Sequence, residues 1–420
     1  MNRFTIFNYF YILYCKSSKD TIMHNNTHNF LIPDYLPSFT CKMGDCRTPC
    51  CTGWPVQISL NDYFHLTSME CSDELRRRLD TGLKISLRPT PEEYAQITPR
   101  YDGDCSMRLP DGRCILHAEL GEEALAHVCR LYPRGIRLEP GYECSLANSC
   151  EAVLELLFEK DNSISFSHHE LSLGTLPQHK RNCTFPLMEK ESDTRLWLIA
   201  HLQNRTLSLP ERLMSLGLSL QKLEQIWNTR DALALDHLLQ SPFPTNLPAM
   251  EVGENHLAFG LRTMAALSYQ LDERSDSLRS YGEAAQAYFC INYDPDTVTQ
   301  TSDSFEHYLH AKKHFEATFP KWEIWFEHML VNHMFFEQFP FQDRPESPWD
   351  EFVAICSLYA LLRFLSLGYM ADKTCITDFV DMAAATFRLV DHTSFDHYVA
   401  RIMHTLGCTT PQTIFDLISL

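Results

Sequence analysis

Four cysteines, Cys41, Cys46, Cys50 and Cys51, fall within the stretch CKMGDCRTPCCTGW at residues 41 to 54. Four more follow at Cys105, Cys114, Cys129 and Cys150, so half of the 16 cysteines occupy about a quarter of the 420-residue chain. Cysteines recruited for packing are scattered, whereas soft thiolates gathered in this way suit zinc or an iron–sulfur cluster. Residues 41 to 150 therefore read as a metal-centred module and the rest of the chain as its helical support.

The spacings are C-x4-C-x3-C-C, then C-x8-C, then gaps of 14 and 20 residues to Cys129 and Cys150. Eight thiols exceed one four-ligand site. Adjacent Cys50 and Cys51 point to opposite sides of an extended backbone, so they suit different irons, different sites, or one ligand and one packing role. Three readings stay open on spacing: an iron–sulfur cluster, structural zinc at one or two sites, and disulfides. No C-x2-C pair of the zinc-ribbon type occurs in the cluster, and no C-x3-C-x2-C triad. Disulfides belong to oxidising compartments and to small secreted domains, and this chain is not small; a cytosolic setting favours metal. Cys15, Cys71, Cys144, Cys183, Cys290, Cys356, Cys375 and Cys408 are scattered. Cys144 lies close enough to Cys150 to serve as a spare ligand, and Cys290 and Cys356 read as packing residues on apolar helix faces.

Hydrophobic content of 45% and charged content of 21% are ordinary for a globular protein. A formal charge of −18 disfavours a nucleic-acid partner, which needs a basic surface; solubility is its plainer role, and attraction of a lysine-bearing protein is the other. No run reaches the ~18 apolar residues of a membrane helix. Glycine is scarce at 15, and no GxGxxG, P-loop, GxSxG or HExxH motif is present. The start, MNRFTIFNYFYILYC, has the first two parts of a signal peptide without a small-residue cleavage site; Met23 as the true start is the favoured explanation. Residues 1–30 accordingly read as an extension.

The module at 31–180 is expected to hold short strands and helices. Trp54, Val56, Ile58 and Leu60 alternate onto one strand face, with Asn61 or Asp62 capping a helix after them. Ser72 opens another helix that ends near Gly82. In GDCSMRLPDGRCIL, Pro110-Asp111-Gly112 supplies a turn that brings the arms bearing Cys105 and Cys114 together. Leu116 to Arg130 reads as one helix with Leu125 and Cys129 on one face. Asn148 or Ser149 caps the next helix, placing Cys150 in its first turn, where free N–H groups favour a thiolate. Residues 160–192 are polar and without period, and a boundary falls near Arg181. From there to Leu420 nine segments, from TRLWLIAHLQ to SFDHYVARIMHTLG, carry apolar residues at helical spacing. The fold class is thus mainly α: a cysteine-rich metal-binding module followed by an all-helical domain at 181–420. Histidines such as His117, His127, His328 and His333 read as hydrogen-bonded or core residues, with His117 and His127 also placed to be ligands or bases.

At CKMGDCRTPCCTGWPVQISL the chain resembles the flagellin lysine N-methylases of bacteria, within a wider group of cysteine-cluster zinc- or iron-binding proteins. The similarity continues through GDCSMRLPDGRCILH, LGEEALAHVCRLYPR and SLANSC to FEHMLVNHMFFEQFPF, over about residues 30 to 345. The cysteine pattern belongs to the wider group, and the late segment points to the narrower one. Glu-Ala follows Cys150 where the family pattern has a proline nearby.

The resemblance implies methyl transfer from S-adenosylmethionine to lysine side chains of flagellin, in the cytoplasm. It also implies an iron–sulfur cluster, [4Fe–4S] with zinc as the alternative, held by Cys41, Cys46, Cys50, Cys51, Cys105, Cys114, Cys129 and Cys150. A base must then serve the lysine amine, and Glu122, Glu123, His127 and Tyr132 lie near the third cysteine group. Favourable charge near a helix start is the plainer role for Glu122 and Glu123. The other function classes open to such a chain are a metal-stabilised module that docks on a partner and a redox protein.

Overall fold

Short apolar alternations and capped amphipathic runs build the two parts of this chain separately. The computed structural model describes residues 27–420 except 54, 174–175, 177–184, 249–252, 273–275, 295–296, 302 and 342–346. Met23, Trp54, Cys15, Cys183 and the boundary at Arg181 lie outside the described residues. Contacts divide the chain into two units. One, the cysteine unit, takes the described residues of 27–156 and 165–176; the other, the helical unit, takes those of 157–164 and 185–420.

The cysteine unit begins with β1 (Thr27–Pro33), whose Phe30 and Ile32 are fully buried. Residues 27–30, expected to belong to an extension, are thus strand. Next come β2 (Val56–Ile58), α1 (Leu60–Ser68), α2 (Asp73–Gly82), β3 (Leu83–Ile85) and β4 (Ala95–Ile97). The chain continues through α3 (Ile115–Leu120), α4 (His127–Leu131), β5 (Arg134–Arg137), β6 (Glu143–Leu146), α5 (Glu151–Glu159) and β7 (Phe166–Ser172). One sheet runs β5-β6-β1-β7, with β1 parallel to β6 and antiparallel to β7; the other runs β2-β4-β3 and is antiparallel.

Local chemistry explains these elements. Val56 and Ile58 turn inward from β2 as the alternation requires. The cap of α1 is Ser59 rather than Asn61 or Asp62: Ser59 Oγ accepts from the Asp62 N–H at 3.1 Å and the Asp62 carboxylate accepts from the Ser59 N–H at 3.2 Å. Ser72 caps α2 as its position predicts. The helix expected over Leu116–Arg130 is broken. Gly121, at φ +83, ends α3; a 3-10 turn at Glu122–Ala124 follows, and Leu125 sits outside α4. Leu125 and Cys129 therefore do not share a helix. Val56, Ile58, Leu66, Leu75, Leu79 and Ile97 form the core beneath the cysteines. Each such buried aliphatic contributes about 1.5–3 kcal/mol.

The helical unit holds α6 (Glu191–Leu202), α7 (Leu209–Thr229), α8 (Ala232–Gln240), α9 (Glu254–Asp272), α10 (Asp276–Tyr288), β8 (Ile291–Asp294) and β9 (Thr297–Gln300). After that hairpin come α11 (Ser304–Thr318), α12 (Trp322–Phe336), α13 (Pro348–Tyr369), α14 (Ile376–Val390), α15 (Phe395–Thr405) and α16 (Pro411–Leu417). All nine segments read as helical are helices; α8, α16 and the β8–β9 hairpin come in addition. Cys290 precedes β8 at φ +52, outside any helix, whereas Cys356 is fully buried in α13 as packing requires. Helix α13 is long and apolar enough to cross a membrane, with mean hydropathy 1.7, yet 94% of that stretch is buried within the fold, so its apolar surface is already covered.

Buried charge marks α12. The Glu327 side chain is fully buried and accepts from Arg205 Nε and Nη2 and from Arg212 Nη1, each at 2.8 Å. His328 points to the carbonyls of Leu157 and Asn162 at 2.8 and 3.0 Å, while His333 lies 3.5 Å from Asp391 and 3.8 Å from Asp396. The two histidines serve different surroundings, as their five-residue spacing implies.

Candidate metal centre

All fourteen described cysteines are free thiols. The backbone gathers the segments that carry the predicted ligands. The Cys105 N–H donates to the Cys51 carbonyl at 2.8 Å, next to an antiparallel bridge between Thr52 and Asp104. The Pro110-Asp111-Gly112 turn folds as the sequence predicts: Leu109 N–H bonds the Arg113 carbonyl at 2.8 Å, and Arg108 bridges Cys114. Cys114 therefore returns beside Cys105, at the mouth of α3. The N–H of His127, at the start of α4, donates to Asp62 Oδ1 at 3.0 Å, and Cys129 follows on the same short helix.

A second set of contacts docks the loop that bears Cys41, Cys46 and Cys50. Glu151 opens α5 directly after Cys150, and its side chain is buried. It accepts from Lys42 Nζ at 2.8 Å, from the Thr48 N–H at 2.8 Å and from Thr48 Oγ1 at 2.9 Å. Arg47 and Lys42 also reach Glu155. Nothing in the sequence marks these partners, which lie more than a hundred residues apart. Gly44 and Gly112 meet back to back: a Cβ on Gly44 would lie 2.7 Å from the Gly112 carbonyl carbon.

The thiols feel one another. Cys51, Cys105 and Cys114 each act on Cys129, and Cys51 acts on both Cys105 and Cys114. Cys41 and Cys46 act on Cys150, as does Cys150 on Cys50. Burial pushes Cys105 up to about 12 and Cys150 up to about 11, the latter despite the N–H groups of Val153 and Ala152. The helix start thus does not make Cys150 a ready thiolate, because desolvation outweighs those N–H groups. Of the eight, Cys51 is held below the ordinary thiol range, by its neighbour Cys50 and then, against burial, by Arg108. Cys50 and Cys51 lie in a turn, so the alternation expected of an extended backbone does not apply to them. Cys50 and Cys129 keep exposed surface; the neighbouring Cys51 and then burial raise Cys50, and burial raises Cys129.

An all-thiol set of this size fits zinc or an iron–sulfur cluster in donor chemistry. The side chains as placed are not closed: among the described residues no three His, Cys, Asp or Glu side chains converge to hold a metal ion. Cys144, the spare ligand, is buried in β6 with Arg134 as the charge that bears on it.

The candidate bases surround α4. His127 is half-buried, and burial lowers its pKa below the ordinary imidazole value. Tyr132 caps α4 and its hydroxyl lies 3.2 Å from Ser149 Oγ. Glu122 and Glu123 form the exposed 3-10 turn, and the Glu123 carboxylate pairs with Arg130 at 2.7 Å. His117 sits on α3.

Residues 195–415, from α6 into α16, match the family described as the FliB lysine N-methylase C-terminal domain. The chain is 26% identical over 213 residues to a lysine-N-methylase of Salmonella typhimurium and equally to one of Salmonella choleraesuis, covering 50% of each chain. It thus spans about half the length of these curated relatives. It is 24% identical over 147 residues to the flagellar biosynthetic protein FliU of Salmonella muenchen, covering 33% of this chain and 86% of that one. No solved structure matches.

Proposed function

This chain belongs to the FliB lysine N-methylase family, and on that premise we propose that it transfers methyl groups from S-adenosylmethionine to lysine side chains of flagellin. The match of the helical unit to that family carries the reading. The flagellar name of the FliU relative supports flagellin as the substrate; the cytoplasm, before export, is the proposed setting. The eight gathered thiols support a thiolate-held centre, an iron–sulfur cluster of the [4Fe–4S] type with zinc as the alternative.

In the proposed reaction the lysine nitrogen attacks the sulfonium methyl carbon in line. The C–S bond breaks, S-adenosylhomocysteine leaves with the electron pair, and the nitrogen sheds a proton. The amine must first be neutral, and free lysine titrates near ~10.4. Removing it from water or placing a base beside it meets that need. His127 is the first candidate base: burial lowers its pKa, which keeps the ring neutral but makes it a weaker proton acceptor, so removal of the amine from water carries most of the deprotonation. Tyr132, Glu122 and Glu123 are the further candidates, with Glu123 already engaged by Arg130. Cys41, Cys46, Cys50, Cys51, Cys105, Cys114, Cys129 and Cys150 would hold the centre, which would supply Lewis-acid binding of S-adenosylmethionine.

The test uses the chain purified without air, flagellin, and S-adenosylmethionine labelled in its methyl group. Label on flagellin lysines, lost together with S-adenosylmethionine binding in Cys41→Ala and Cys105→Ala, is the expected result. Flagellin bound but unlabelled would identify a docking module and overturn the reading.

A further inference from the structure

The helical unit carries a recess that the reaction above does not use. It lies between α6 and α8, measures about 370 Å³, and is lined by Lys190, Asp193, Leu196, Trp197, Asp236 and Leu239. Both helices build it on the same pattern. On α6, Leu196 and Trp197 follow Asp193 by three and four residues; on α8, Leu239 follows Asp236 by three. That spacing puts each set on one helix face. Each helix thus brings one carboxylate and one leucine to the recess.

Trp197 adds an aromatic surface. It is half-buried, so part of the indole stays open to solvent. The buried His201 holds it in place. The two rings meet edge-on at 4.5 Å; His201 Nδ1 lies 3.0 Å from the Trp197 carbonyl oxygen, and Nε2 lies 2.8 Å from Ser219 Oγ.

One lysine already reaches this recess. Lys190 ends the 3-10 turn Met188–Lys190 and places its ammonium 2.9 Å from Asp236. Asp236 first, and then Asp193 and Glu189, hold Lys190 above the ordinary lysine range. Three carboxylates face one ammonium, so the recess keeps an excess of negative charge. A second lysine would find the same carboxylates and an apolar lining for its stem. Lysine lays its methylenes along apolar surface while its ammonium meets carboxylates or an indole face. An anion would be repelled.

We propose that this recess docks a lysine side chain of the protein substrate, with Asp193 and Asp236 receiving the ammonium, Leu196, Leu239 and Trp197 covering the methylenes, and Lys190 as the internal competitor. The docked lysine is not the one that reacts. Carboxylates favour the ammonium form, whereas methyl transfer needs the neutral amine. The proposal rests on the reading that the partner is a lysine-bearing protein, and adds where that partner is gripped.

The test titrates a hexalysine peptide into the full chain at fixed ionic strength, read by tryptophan fluorescence and by calorimetry; it needs no methyl transfer. Saturable binding is expected, with a fluorescence change that Trp197→Phe removes. Asp193→Asn/Asp236→Asn should weaken binding about fivefold, and Lys190→Gln should tighten it. Glu283→Gln/Glu306→Gln removes the same charge from exposed positions on α10 and α11 and should leave binding unchanged. Equal weakening by both double variants shows unspecific attraction to an acidic protein and overturns the site. So does a Lys190→Gln chain that binds no tighter. With flagellin, Asp193→Asn/Asp236→Asn should raise KM and leave kcat unchanged; an unchanged KM overturns the link to the substrate. A wild-type chain that binds hexalysine through these residues but methylates nothing overturns the proposed function and leaves the docking recess standing.

Discussion

The backbone N–H of Cys105 donates to the carbonyl of Cys51 at 2.8 Å, tying two thiol-bearing segments into one antiparallel contact. Around it, Thr52 Oγ1 donates to Asp104 Oδ1 at 2.9 Å, and Arg108 reaches Asp104 at 2.6 Å. The positions of these cysteines are thus set by main-chain and polar contacts that involve no sulfur. The proposed thiolate centre should be sensitive to substitutions that leave every cysteine in place.

Gly112→Ala is the sharpest such case. Gly112 sits at φ +89 in the turn between Cys105 and Cys114, and a Cβ there would run into the Gly44 carbonyl oxygen. Both obstacles are backbone, so neither side relaxes cheaply. The expected loss is about 1–3 kcal/mol of stability in the cysteine unit, together with reduced metal content, read by thermal unfolding and elemental analysis.

Glu151 gives the loop an acid limit. Burial raises its pKa, but the hydrogen bonds from Lys42 and Thr48 prevail and hold it at about 2, below its ordinary 4.5. A depressed carboxylate stabilises above its unfolded pKa and loses that contribution as pH falls through its folded pKa. Docking of residues 41–50 should therefore weaken between about pH 4.5 and about pH 2. Glu151→Gln should abolish that dependence and cost about 1–3 kcal/mol at neutral pH. Proteolysis of the loop against pH, in both forms, checks it.

His333 sets an alkaline limit in the helical unit. Burial disfavours its charge, but the carboxylates of Asp391 and Asp396, 3.5 and 3.8 Å away, overcome this and raise it to about 10. A raised histidine stabilises fully below its unfolded pKa and loses that contribution as pH rises to its folded value. Stability should fall between about pH 6.5 and about pH 10, and the slope should flatten in His333→Gln. Five of the six tryptophans, at 197, 227, 322, 325 and 349, lie in this unit, so fluorescence-monitored unfolding reads it directly.

Glu327→Gln tests the buried cluster on α12. Removing the carboxylate charge leaves Arg212, 4% exposed, with a weakened counter-charge in the interior. Loss of one partner of a buried pair costs about 3–5 kcal/mol. A drop in the denaturant midpoint without a change in slope is the expected observation.

What was legible in the sequence depended on range. Ser72, the Pro110-Asp111-Gly112 turn and the long helical periodicities act within a few residues, and each formed as read. Gly121 was visible but was outweighed by the apolar spacing around it; its positive φ broke the helix. β1 escaped because its partner β7, FSHHELS, is mostly exposed and polar, so their pairing is a backbone ladder without a side-chain pattern. The grip of Lys42 on Glu151 spans 109 residues, and only the fold reveals it. The eight cysteines stand out by clustering alone, whereas the contacts that tie their segments together, Cys105 to Cys51 and Lys42 and Thr48 to Glu151, are encoded by no spacing.

The most direct measurement is an absorption spectrum with iron, sulfide and zinc analysis on the chain purified without air. The account predicts a broad visible band with matched iron and sulfide, or zinc without colour, bound through the cysteine unit. Protein that is folded, metal-free and reactive at Cys41, Cys46, Cys50, Cys51, Cys105, Cys114, Cys129 and Cys150 would contradict it.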